Sequence, residues 1–364
     1  MSMPSSAISF ELPSIRTNVW RSRIIAIFLL ALIGGIFWVD SRYPSLMKKY
    51  HSGTHVKVVG AITFDAVYQV DRTMPLPQRV WRTSVNWLNA NRIGMTFAFL
   101  FGPAALTFLG TLPRRRTKSR HLNALLGTLA GMPLGVCANC VAPIGRGLYA
   151  SGMSTESVLA AMFSSPALNV VVLAMTFALF PLQIALIKLA SVLLLIFVFA
   201  PYVASRQTQP ANTEMDRPVE WAASETWPQA LVSTFKGYAK SFWIVFRAGF
   251  PLMLLAAFLG ALLIELVPPQ AINAPVSLVG ILLLALIGAF LPVPMAFDVV
   301  IAYIAMTHGV PLPYVVVLLC TLGIYSVYSV AVVGKTISWK VATATYAAVA
   351  ALGIAAGIVT RLFA

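Results

Sequence analysis

Two cysteines three positions apart, Cys137 and Cys140, are the residues of this chain best suited to chemistry. At that spacing their sulfurs lie about one helical turn apart, so both can touch one ligand. Soft sulfur donors select soft metals and metalloids, and a thiolate forms more readily at a helix N-terminus. Pro133, Gly135, Pro143 and Arg146 stand around them, in the middle of apolar sequence. A plain spanning helix has no use for such residues. Backbone at membrane depth leaves helical form only where it is buried in protein or lines a cavity. Cysteine also serves membrane helices as a small apolar residue, so ligand, redox couple and packing all remain open.

Asp298 is the second candidate. An aspartate near mid-membrane costs about 2.5–3.5 kcal/mol on insertion scales, and such residues mark ion or proton pathways. It is the candidate for proton coupling; the structural alternative is a buried pair with Arg146 or Arg247. Asn169 follows Pro166-Ala-Leu168 and offers an amide to a substrate or to the carbonyls that the proline frees. Tyr325 and Ser326, with Tyr328 and Ser329, make a polar patch late in the chain. Ser164 and Ser165 are weaker candidates, since serine bonds back to its own helix easily. Lys188 and Glu265 read as span-end residues that snorkel, and Cys320 reads as a packing cysteine. His51 and His55 have i, i+4 spacing, but Gly53 between them opposes a helix, and solvated loop histidines are the better reading. The substrate-binding set is therefore Cys137, Cys140, Pro143, Arg146, Asn169, Tyr325 and Ser326, with no metal site assigned.

The elements that position these residues are membrane helices. Of 364 residues, 59% are hydrophobic and 10% charged, with a mean hydropathy of +0.83. Repeated apolar runs near twenty residues long point to an all-α polytopic membrane protein. The runs do not alternate, as barrel strands would. A net charge of +15 reflects basic loops rather than nucleic-acid binding. With only Cys137, Cys140 and Cys320, all in apolar sequence, a disulfide-stapled secreted fold is excluded.

In chain order, Arg16, Arg21 and Arg23 precede an apolar run from Ile24 to Val39 with no small-x-small cleavage site after it. This predicts an uncleaved signal anchor with a cytoplasmic N-terminus. Residues 1–92 are expected to be this span plus an outer loop, with short strands over Lys57–Val70 and a surface amphipathic helix over Gln78–Asn91. A span from Ile93 to Leu112 ends at Arg114, Arg115, Arg116, Lys118 and Arg120, a basic cluster that places its loop in the cytoplasm. The first transmembrane repeat covers 93–204, with spans over Met162–Phe180 and Leu182–Val203. A hydrophilic linker covers 205–238. The second repeat covers 239–364, with runs at Trp243–Val267, Val276–Thr307, Pro313–Val333 and Val341–Leu362.

Set Gly152 on Gly309, and SGMSTESVLAAMFSSPALNVV lies over HGVPLPYVVVLLCTLGIYSVY without a gap. Each half has an irregular Pro-rich piece, a glycine turn, and a span broken at Pro166 or Gly323. Internal repeats of this kind belong to secondary transporters, with the site between the repeats. If residues 122–150 cross the membrane once, the repeats are parallel; if they dip in and return, the repeats are inverted. The loop Pro268–Pro275 lacks lysine and arginine, and the linker carries Arg206, Arg217, Lys236 and Lys240. Both favour the inverted arrangement.

The segment Val136-Cys-Ala-Asn-Cys140, Pro143, Arg146-Gly-Leu148, Gly152 and Pro166-Ala-Leu-Asn169 resembles the predicted permease family that includes YraQ-type proteins and the ArsP organoarsenical exporters. The likeness spans roughly residues 93 to 362. In that family the cysteines are more often closer together, with proline after the asparagine; here Val170 follows Asn169. The resemblance implies a bacterial inner-membrane permease, with trivalent arsenicals as one substrate class.

The leading expectation is a secondary transporter, not an enzyme, for a small thiophilic solute such as a metalloid or organoarsenical, coupled to protons at Asp298. The alternatives are a membrane thiol-disulfide oxidoreductase using Cys137 and Cys140, and a non-transporting assembly protein using the loop Ser41–Arg92. No Walker A, zinc-protease or haem motif is present; Gly334-Lys-Thr336 lacks the upstream glycine. No cofactor is implied. The expected partners are the solute and the lipid bilayer, with homo-oligomerisation left open.

Overall fold

The computed structural model describes residues 19–44, 47, 67–71, 73–111, 119–150, 152–207, 226–266, 276–307 and 309–363. His51 and His55, the basic run 114–118, most of the linker and the loop at 268–275 lie outside these. Of Lys57–Val70 only residues 67–70 are described, and they hold no strand.

All described elements are helices. In order they are α1 (Trp20–Phe37, continued by a π turn over Trp38–Arg42), α2 (Leu76–Gly110), α3 (Arg120–Gly131), α4 (Ala138–Ala150), α5 (Thr155–Ala167), α6 (Val170–Leu179) and α7 (Leu182–Leu194). A π turn over Leu195–Phe199 leads into α8 (Ala200–Arg206), followed by α9 (Trp227–Leu266), α10 (Leu278–Phe290), α11 (Phe297–Thr307), α12 (Leu312–Thr321), α13 (Val327–Thr336) and α14 (Trp339–Phe363). Among the described residues four helical stretches are long and apolar enough to cross a membrane: Trp20–Ser41, Leu182–Arg206, Trp227–Leu262 and Trp339–Leu362. The pair α5 and α6, bent by 49°, makes a fifth if taken as one span.

The surface helix and the span expected at Gln78–Asn91 and Ile93–Leu112 are one helix, α2, of 35 residues. Extending a helix costs less than nucleating a new one, and its first half is not free on a surface. Val80 and Ser84 are buried there, and the Ser84 hydroxyl reaches the Ala257 carbonyl of α9. Helix α9 likewise begins at Trp227, inside the segment read as linker.

Contacts fix the helix directions. Ser84 meets Ala257, the Phe99 ring packs on Gly249, and the Tyr238 hydroxyl donates to the Leu100 carbonyl, so α2 and α9 run antiparallel. Asn123 meets Glu156 and Gly131 meets Ala161, so α3 and α5 run parallel. Val136 meets Ser165 while Gly145 meets Met162 and Val158, so α4 runs against α5. Residues 120–150 therefore form a helical hairpin that returns to the end from which it starts.

The second half repeats this construction. Gly280 packs on Tyr314 and Gly288 on Thr321, so α10 runs with α12. The Val310 amide donates to the Ala305 carbonyl, and Asp298 lies against Gly323, so α11 runs against α12. Gly152 at φ 95° and Gly309 at φ 79° turn the chain between hairpin and following helix in both halves. Those left-handed conformations favour residues without a Cβ. The close helix pairs also rest on small residues: a Cβ at Gly131 would overlap Ser164 and Ala161, and one at Gly288 would overlap Thr321. Small contact residues are how helices approach closely where lipid removes the hydrophobic drive.

Candidate functional site

The two hairpins follow the long helices α2 and α9, which are antiparallel, and lie in one bundle. Their tips meet inside it. The Asn139 amide donates to the Val293 carbonyl at 3.3 Å, and the Ser326 hydroxyl donates to the Asn139 side-chain oxygen at 2.7 Å. Asn139 sits between the two cysteines, and sequence reasoning passed over it. An amide inside a Cys-x-x-Cys, in apolar sequence, was the available signal.

Each tip is held from outside by an indole. Trp38 donates to the Pro133 carbonyl at 2.8 Å, and Trp87 donates to the Pro292 carbonyl at 2.5 Å. Ser165 closes the first turn, accepting from the Val136 amide at 3.2 Å and donating to the Val136 carbonyl at 3.3 Å. The serine is thus a clamp on the tip rather than a back-bonded helix residue.

Cys137 precedes α4, and its sulfur accepts from the Cys140 amide at 3.2 Å, in the manner of an N-cap. The Cys140 sulfur lies 2.6 Å from it, and both cysteines are buried. A Cβ at Gly94 would stand 2.8 Å from the Cys140 sulfur, so α2 contributes the space in which that sulfur sits. Tyr328 lies near both cysteines, and its hydroxyl donates to the Gly249 carbonyl. Pro143, two turns along α4 from the tip, is buried against Gly102 of α2.

Two interruptions between helices, α5 to α6 and α12 to α13, flank this centre. At the first, Asn169 caps α6: its side-chain oxygen accepts from the Val172 amide, and its nitrogen donates to the Ser165 and Pro166 carbonyls. These are backbone groups that a helix broken at depth leaves without partners. At the second, Ser326 caps α13 by accepting from the Ser329 amide, and the Ser329 hydroxyl donates to the Ala138 carbonyl. Tyr325, one residue earlier, is 1% exposed, and its hydroxyl has no hydrogen-bond partner among the described residues. A buried orphan hydroxyl costs about 1–3 kcal/mol and calls for an explanation.

Asp298 begins α11 beside the second break. Its partner is neither Arg146 nor Arg247 but Lys188 of α7, in a buried ion pair with side chains 3% and 6% exposed. Arg247 is exposed on α9. Lys188 corrects the sequence reading too: it does not snorkel. The helix through Leu182–Arg206 is 25 residues long, which leaves a lysine at its seventh position too deep to reach either end. Cys320 lies next to the pair and close to Ser191. It belongs to a core cluster separate from that of Cys137 and Cys140.

The structure thus brings together Cys137, Cys140 and, through Asn139, Ser326, while Asp298 pairs with Lys188 beside the second break. It leaves Arg146 apart, six residues beyond Cys140 on α4, or about 9 Å along the helix. There Arg146 lines a narrow crevice with Val158, Met162, Val332 and Thr336. Among the described residues no group of three or more His, Cys, Asp or Glu is arranged to hold a metal.

Comparison with known proteins agrees with these features. A family profile described as a predicted permease matches residues 91–362. The chain is 28% identical to the UPF0718 protein YraQ of Escherichia coli (strain K12) over 253 residues, covering 69% of this chain and 71% of that protein. No solved structure matches.

Proposed function

The chain belongs to the predicted permease family, and from that premise we propose that it is a secondary transporter whose halves are inverted repeats enclosing an occluded site at the hairpin tips. One observation carries the reading: the two tips meet, through Asn139, beside the interruptions between α5 and α6 and between α12 and α13. Broken helices facing each other at mid-depth are the usual construction of a transported-solute site. The antiparallel course of α2 and α9 supports the inverted relation.

The solute binds between Cys137 and Cys140 on one side and Tyr325 and Ser326 on the other, and the Tyr325 hydroxyl gains the partner it lacks. Asn169 holds the first break open, and Pro143 keeps α4 against α2. Arg146 stands on the approach from the end where α4 terminates. Paired thiols favour a soft, thiophilic solute, a metalloid or an organoarsenical. Proton exchange occurs at Asp298: protonation removes the charge that holds Lys188, and the second hairpin is then free to move relative to α7.

The bacterial inner membrane with the N-terminus in the cytoplasm suits the charges. Arg23 donates to the Thr111 carbonyl, so the start of α1 shares an end with the basic loop that follows α2. The thiol-oxidoreductase reading lacks such support, since both cysteines are 3% exposed or less and Cys320 lies with a different cluster.

The test is a resistance and uptake screen over metalloids, thiol compounds and sulfur oxyanions, in cells carrying intact protein or the Cys137→Ser, Cys140→Ser double variant. Transport of at least one thiophilic solute by the intact protein alone supports the reading. Equal transport by both proteins removes the cysteines from it.

A further inference from the structure

A groove lies outside the hairpin centre. It lies where α3 begins against the π turn and α8, with a cavity of about 320 Å³. That is at the lower end of the range for ligand sites, roughly 300–1,000 Å³. Its rim is polar, formed by Arg120 and His121 in the first turn of α3, and its floor is Phe197, Val198, Pro201 and Tyr202. The π turn over Leu195–Phe199, followed at once by Pro201, is the backbone irregularity against which the groove lies. Such turns recur at functional sites.

Arg120 and His121 are exposed and have no hydrogen-bond or ion-pair partner among the described residues. Glu156, the acid packed against α3, is buried and engaged by Asn123. The first amides of α3 add the positive end of a helix dipole. Both elements also carry exposed apolar side chains, Leu122, Leu125 and Leu129 on α3 and Val198 on the π turn. A soluble anion would use the rim and leave that stripe bare. Tyr202 sits at the boundary with Arg206 over its ring at 5.4 Å, an arrangement typical of the headgroup level.

We infer that this groove binds one anionic phospholipid, its phosphate on Arg120 and His121 and an acyl chain along Phe197 and Val198. Basic pockets between helices on the cytoplasmic side are suited to such headgroups. The lipid would brace α3, the outer arm of the first hairpin, against α8. This inference does not depend on what the protein transports.

The experiment uses the full chain purified in detergent and native mass spectrometry with phosphatidylglycerol and phosphatidylcholine of matched chains. The expected result is preferential retention of phosphatidylglycerol. The double variant Arg120→Gln, His121→Gln should lower that preference about five-fold or more, near 1 kcal/mol for a lost basic side chain. Val198→Trp, which fills the groove and keeps both polar residues, should reduce phosphatidylglycerol retention as well. Three outcomes would overturn the inference: equal retention of the two lipids by the native chain, retention unchanged in both variants, or full competition by glycerol 3-phosphate, which would make this a soluble-anion site.

Discussion

Lys188 on α7 and Asp298 on α11 form a buried ion pair across 110 positions of sequence, joining the last helices of the first half to the second hairpin. Two charges taken out of water gain little net stability from each other, but losing one leaves the other uncompensated. A pair in that position is better suited to a device that opens than to a permanent strut.

That asymmetry separates stability from transport. Asp298→Asn or Lys188→Met alone should destabilise the protein by about 3–5 kcal/mol, whereas the double variant Lys188→Met, Asp298→Leu should be near neutral or more stable. Thermal unfolding of the purified variants measures this. Transport should be absent in all three; a double variant that still transports would remove Asp298 from proton coupling.

At the first hairpin, Cys137→Ser or Cys140→Ser should each abolish transport of the thiophilic solute at normal expression. Gly94→Ala tests the same sulfurs without touching them, because its methyl would stand 2.8 Å from the Cys140 sulfur. It should lower transport and change the alkylation rate of Cys140. An unaltered rate would mean that α2 yields and does not set the sulfur position.

Asn139→Ala removes the donor to Val293 and the acceptor for Ser326. Each buried group left without a partner costs about 1–3 kcal/mol, so the variant should unfold at a visibly lower temperature. Asn139→Asp keeps the acceptor for Ser326 but sets a carboxyl group, costly to bury as an unpaired charge, against the Val293 carbonyl, so it should be destabilised as well. If alanine and aspartate variants match the native protein, the tips do not depend on this side chain.

Helix contact in the hairpins makes a paired prediction. Gly131→Val should overpack α3 against Ser164 and Ala161, and Gly288→Val should overpack α10 against Thr321. Both should lose at least the roughly 1–3 kcal/mol typical of overpacking, read as reduced folded yield in the membrane fraction. Valine at the exposed position Leu129 is the control and should leave yield unchanged.

Much of this protein was legible in the residues alone, for identifiable reasons. Hydropathy must match the bilayer wherever a helix crosses it, so the all-helical membrane class followed from composition. Proline, glycine and asparagine at depth imply broken backbone with its own partners, and the breaks at Pro166 and Gly323 are where those residues stand. The boundary of α2 was not legible, because its polar first half packs on α9 and does not lie on a surface. What only the tertiary structure decided were pairings across the chain. Lys188 resembles any lysine near a span end until α7 is placed against α11, and Asn139 resembles filler between two cysteines until the second hairpin packs against it. Local pattern records what each segment prefers by itself. Which buried charge or amide meets which partner depends on how distant segments pack, and no spacing within one segment carries that information.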